Sequence, residues 1–276
     1  MKHLFLGLLF STTAEAWTLN NNFGAAFASN RVKVFVDEGT VCPTNGVTYD
    51  ELAGLVKPAV DDYWNRVPTS NLRLAAAGFS SHIPTINRGR LCSPTDEDCI
   101  AAGQADPEGL IPAVREIVIA CNSNTLNFGG GNVLAVTIPN KFSGKKIKGA
   151  VILINDSSGT FGDLSRADKI GVIAHEIGHA IGLGHSDENA ALMYFRTVSQ
   201  RRRLGQDDVD GVSFLYPIGG DLYGISDDGL VSCGSVGGTG GGPAAPLVPA
   251  GLTLGLVVLL SELRRLLKRA KRRSPL

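Results

Sequence analysis

His175-Glu176-Ile177-Gly178-His179-Ala180-Ile181-Gly182-Leu183-Gly184-His185 gathers three of the chain's five histidines into one short stretch. The stretch begins within residues 165–183, where Ile170, Ile173, Ala174, Ile177 and Ile181 recur at three- and four-residue spacing. That period predicts an amphipathic helix. Ser165 suits its N-cap, with Asp168 three residues on, and Gly182 and Gly184 are expected to end it. On such a helix His175 and His179 leave the same face one turn apart, a spacing at which two imidazoles can grip one metal ion. Gly182 lets the chain turn back so that His185 can become a third ligand. Three protein nitrogens and one water form the open type of zinc site. Glu176, beside the first ligand, is expected to be the general base that takes a proton from the metal-bound water.

Outward from the helix, the pattern alternates between short strands and helices. Arg31–Asp37 places Val32, Val34 and Val36 on one side and reads as a strand. Residues 48–66 read as a helix through Leu52, Leu55, Val56, Ala59, Val60 and Tyr63, with Pro58 in conflict inside it. Residues 71–76, 115–121, 132–138 and 150–155 read as four more strands. The Pro-, Gly- and Asp-rich stretch from Ser80 to Pro112 reads as a long loop, as does 122–131. Residues 206–216 read as a last helix stopped by Pro217. Strands ahead of a helix-rich end predict an α+β domain.

The complete pattern H-E-x-x-H-x-x-G-x-x-H resembles that of the metzincin metalloproteases. Within them the chain looks most like the matrixins, because Ser186 follows the third histidine and Ala191-Leu192-Met193-Tyr194 comes shortly after. The resemblance implies a metzincin (zincin) fold: a mixed twisted sheet, a long active-site helix and a C-terminal helix. It implies one catalytic Zn²⁺ held by His175, His179 and His185, with Met193 as the Met-turn beneath the metal. Residues 204–211 and Leu215-Tyr216 look like the closing helix. Gly130-Gly131-Asn132-Val133-Leu134-Ala135 resembles the edge strand that takes substrate as an added strand. Val133, Leu134, Ala135 and Tyr194 are therefore candidate substrate-binding residues, and a hydrophobic S1′ pocket is implied near His175 and Tyr194. The implied activity is cleavage of protein or peptide substrates. The chain departs from the pattern in lacking a Pro-Arg-Cys-Gly switch, histidines for a second structural zinc, and a C-terminal propeller. The acids between Asp156 and Asp163 fit either a structural Ca²⁺ site or plain loop solvation.

Residues 1–16 combine Lys2, an apolar run from Leu4 to Phe10 and Ala14-Glu15-Ala16, the pattern of a secretory signal peptide. Residues 17–217 are the expected catalytic domain and 218–246 a Gly-rich linker. Residues 247–276 form an apolar stretch with a basic end, read as a membrane anchor or a sorting signal like those of exported bacterial proteins. The product is expected to be secreted or held at the cell envelope. Formal net charge is zero, but the seven Lys and Arg after Glu262 leave the body mildly acidic, at about −6. That argues against nucleic acid as a partner. Cys42, Cys92, Cys99 and Cys121 allow three pairings, of which Cys92–Cys99 with Cys42–Cys121 is favoured; Cys233 is left over. Two other readings stay open: a non-catalytic zinc-containing surface module, and a zinc hydrolase that does not cut peptides.

Overall fold

A computed structural model describes residues 17–20, 25–129, 132–196 and 200–219. The leader expected at 1–16, nearly all of the expected linker, the apolar stretch at 247–276 and Cys233 lie outside the described residues. The body is a sheet of strands β1 (Ala26–Phe27), β2 (Arg31–Asp37), β3 (Arg73–Ser80), β4 (Glu116–Asn122), β5 (Ala135–Ser143) and β6 (Lys146–Asn155). From edge to edge the order is β3-β2-β4-β6-β5, with the short β1 beside the start of β6. All pairings are parallel except β5 with β6, which is antiparallel, so the sheet is mixed.

The central strands are apolar on both faces because both faces are covered. Ile117, Ile119 and Cys121 of β4 and Ala150, Ile152 and Ile154 of β6 join the larger core beneath helices α1 (Tyr49–Asp61), α3 (Arg166–Ala180) and α4 (Gln206–Leu215). Their alternate neighbours Val118, Ala120, Val151 and Leu153 meet Ile86, Leu91, Ile111 and Phe128 on the back of the sheet. Apart from Phe128, the cover named there comes from residues 81–115. That stretch is more than the long loop expected from its composition: it contains helix α2 (Glu97–Ala105), capped by Asp96, whose side chain accepts from the Cys99 N–H. The Cys92–Cys99 disulfide closes the segment, and Cys42–Cys121 ties the chain after β2 to the end of β4.

The helix expected over 48–66 divides into α1 and a 3-10 turn at Trp64–Arg66. The Thr48 hydroxyl caps α1 by accepting from the Glu51 N–H at 3.1 Å. Pro58 sits inside α1 without breaking it. A proline there leaves the carbonyl four residues earlier without its helical donor. That carbonyl, Gly54 O, accepts from the Arg166 guanidinium at 2.9 Å. The contact also joins α1 to the first turn of α3. The strand expected at 71–76 runs on to Ser80, and that expected at 132–138 starts later, at Ala135, and runs to Ser143.

Candidate active site

Helix α3 starts at the Ser165 cap, whose hydroxyl oxygen accepts from the Asp168 N–H at 3.1 Å. It ends at Gly182, which has a φ of +115°. A side chain there would also meet the Ala25 carbonyl at 2.4 Å, so glycine is required on both grounds. The reversal brings His185 back to the helix. The ligand atoms of His175, His179 and His185 all lie within 4.8 Å of one another. The three rings face each other with centroids 4.8–5.5 Å apart. His175 is buried and His185 exposed, so the group opens from the core toward solvent.

Backbone carbonyls set two of the rings. His175 Nδ1 donates to Leu192 O at 2.8 Å, and His179 Nδ1 donates to Leu183 O at 2.9 Å. Each bond leaves Nε2 as the free lone pair, the tautomer a metal needs. Burial lowers all three imidazole pKa values, most strongly for His175, where the His179 charge adds to the effect. The rings are thus neutral donors at neutral pH. Unprotonated nitrogens converging in a partly buried pocket fit a zinc ion in chemistry and number. Among the described residues this is the one group of three or more His, Cys, Asp or Glu that could hold a metal. Asp156 is already engaged: its Oδ1 accepts from the Asn45 backbone and side chain, both at 2.9 Å.

Glu176 is buried beside the triad. Thr137, on edge strand β5, donates its hydroxyl to Glu176 Oε2 at 2.6 Å. Burial pushes the Glu176 carboxyl up to about 7, although the Thr137 bond favours the charged form. A carboxyl poised near neutrality can accept a proton and return it. Glu176 and the histidines open on a cleft of about 990 Å³, the size of a substrate site. Val133, Leu134, Ala135 and Tyr194 are among the residues that line it. Val133 and Leu134 precede the strand, and only Ala135 belongs to it.

Met193 is buried in the turn that follows the return loop. Its sulfur lies against α3 so closely that a Cβ on Gly178 would meet it at 2.3 Å. The turn is held from below by Asp208 of α4. That carboxylate accepts from the N–H groups of Leu192 at 2.6 Å, Met193 at 2.9 Å and Gly205 at 2.7 Å. Because Leu192 O orients His175, α4 reaches the first histidine through this turn.

Sequence reasoning missed three supports. Thr137 carried no signal beyond its place in a strand. Asp208 sits in the Gln206-Asp207-Asp208 start of a helix, where an acid reads as a capping residue. Residues 18–20 brace the return loop: Gly184 N donates to Thr18 O at 2.7 Å, Thr18 Oγ1 donates to His185 O at 2.7 Å and Asn20 Nδ2 donates to His179 O at 2.8 Å.

Residues 121–217 match the family model described as Matrixin. Similar curated proteins include metalloendoproteinase 1 of Glycine max, 46% identical over 56 residues, or 20% of this chain and 18% of that protein. Stromelysin-1 of Equus caballus is 40% identical over 92 residues, 32% of this chain and 18% of its own length. Interstitial collagenase of Bos taurus is 50% identical over 46 residues, 16% of this chain and 10% of its own length. The matched region thus spans less than a fifth of each of these relatives. The matched residues carry the histidine-bearing helix and the closing helix, and with the mixed sheet they are consistent with a metzincin-type fold.

Proposed function

We propose that the chain is a zinc-dependent endopeptidase. The observation that carries this is the convergence of three neutral imidazoles, two of them oriented by backbone carbonyls, beside a buried carboxyl in an open cleft. His175, His179 and His185 would hold the ion and Met193 would floor it. Bound zinc supplies Lewis acidity and lowers the pKa of water toward neutrality. Glu176 takes the proton of the attacking water and delivers it to the leaving amine. Thr137 keeps the Glu176 carboxylate oriented meanwhile. Val133, Leu134 and Ala135, leading into edge strand β5, would pair with an extended polypeptide, and Tyr194 would border the pocket for its side chain. A non-catalytic module would not need Glu176, and Glu176 is present and lines the cleft.

Extracellular or envelope proteins are the proposed substrates. The leader pattern of residues 1–16 and two disulfides support export to an oxidising compartment. No helix among the described residues is long and apolar enough to cross a membrane. Anchoring through residues 247–276 therefore rests on their sequence.

The test is cleavage of an unfolded protein and a mixed peptide library by the zinc-loaded full chain, beside Glu176→Ala, with zinc content measured for both. Loss of cleavage in the variant and with a chelator, at unchanged zinc content, is expected. A folded, zinc-loaded wild type that cuts nothing overturns the proposal.

A further inference from the structure

At the end of the sheet where the parallel strands begin, every strand of the main order contributes a cation. Arg73 opens β3, Arg31 opens β2, Arg115 leads into β4, Lys148 lies in the first turn of β6 and Lys141 is in the last part of β5. Strand register keeps them abreast: Arg31 pairs with Arg73, and Gly149 pairs with both Glu116 and Lys141. At about 4.8 Å between strands, the row is about 19 Å long. Arg31, Arg115, Lys141 and Lys148 also line a cleft of about 330 Å³ floored by buried Phe27 and Ile147. None of the five makes an ion pair among the described residues. The one acid lining the cleft, Glu116, accepts the Lys33 N–H at 2.9 Å. It is held there with a φ of +63°, a strained conformation for a non-glycine residue.

We propose that this row is a docking surface for an acidic polysaccharide, a chain of sugars carrying carboxylate, sulfate or phosphate groups. A line of unpaired cations matches repeated negative charge better than a single small anion. The apolar floor suits the C–H face of a sugar ring. The row crosses the strands, so a peptide laid along it finds no free strand edge to pair with. Among the described residues the large exposed hydrophobic side chains lie elsewhere, which gives the surface none of the apolar anchors of a lipid-binding face there. Among the described residues it likewise carries no exposed aromatic ring to stack nucleic-acid bases. Lys141 lies six residues along β5 from Ala135 of the histidine cleft, about 20 Å of extended chain. A bound glycan would therefore hold the molecule without covering that cleft.

The test is calorimetric binding by the full chain, with heparin dodecasaccharide and polygalacturonate as acidic probes and neutral dextran as control. Poly-glutamate and phosphatidylglycerol vesicles stand for the other occupants. The wild type is expected to bind both acidic glycans, more weakly as salt rises, and not dextran. Lys141→Glu/Lys148→Glu, checked for an unchanged melting temperature, is expected to weaken glycan binding tenfold or more. Arg272→Glu/Arg273→Glu in the tail is expected to change it less than twofold. Because the surface lies away from Glu176, cleavage of a short peptide is expected to be equal in the wild type and the Lys141/Lys148 variant. Glycan binding unaffected by the Lys141/Lys148 reversal, or abolished by the tail reversal, overturns the proposal. So does tighter binding of vesicles or poly-glutamate than of either glycan.

Discussion

Asp208 is the point where the closing helix meets the histidine site, and removing it tests that connection. The carboxylate is 1% exposed and accepts three backbone N–H groups. Two of them belong to Leu192 and Met193, which are buried themselves. Asp208→Ala orphans those two donors. A hydrogen bond to a charged group contributes about 1.5–3 kcal/mol, and a buried orphan costs about 1–3 kcal/mol. Against this stands the cost of burying the carboxylate, which pushes the Asp208 pKa upward despite the three bonds. The net expectation is a loss of about 3–5 kcal/mol, the range for removing one partner of a buried charged contact. Asp208→Asn keeps one acceptor oxygen and should lose about half as much. Urea denaturation of the oxidised protein, with chelator present, reads both values. The same variants should bind zinc more weakly, because the turn that carries Leu192 O to His175 is loosened. A loss below about 1 kcal/mol for Asp208→Ala would refute the reasoning, as would Asn and Ala costing the same.

Gly178→Ala should destabilise by about 1–2 kcal/mol in thermal melts. The new methyl meets Met193 Sδ at 2.3 Å and Trp64 Cζ2 at 2.8 Å, and that overpacking exceeds the gain of about 1 kcal/mol in helix propensity. Replacing Cys42 and Cys121 together by serine opens a crosslink with a sequence separation of 79. It should cost about 4 kcal/mol in chemical denaturation. Thr137→Val should lower kcat by about tenfold or more at unchanged KM and zinc content, with Thr137→Ser restoring it; an unchanged kcat would show that the 2.6 Å bond does not orient Glu176. The Asp168 carboxyl is held at about 2 by the Gln200 N–H, the Ser165 hydroxyl and Arg202. Its folded pKa lies below the unfolded value, so its stabilisation is present above about pH 4 and lost as pH falls toward about 2. Melting temperatures stepped through that window should fall more steeply for the wild type than for Asp168→Asn.

Local patterns were readable because their physics is local. The 3.6-residue period of Ile170, Ile173, Ala174, Ile177 and Ile181 requires only a helix with one buried face, and α3 has it. The Ser165 cap, the Gly182 stop and the four-residue spacing of His175 and His179 follow from backbone geometry within one element. The favoured pairing of the cysteines is present in the fold. Helix α2 escaped notice because its apolar stripe is weak and it is stabilised by the Asp96 cap and a disulfide. Pro58 looked like a break because the donor that satisfies Gly54 O comes from residue 166.

The sequence by itself determined which residues could hold a metal and which could move a proton, since side-chain chemistry and helical spacing are written in neighbouring positions. Only the tertiary structure decided what orients them. Thr137, Leu192, Asp208 and the strap at residues 18–20 reach the site through hydrogen bonds between segments remote in sequence. No local period records such a contact. The same holds for the row of cations, which exists because five strands start or end side by side.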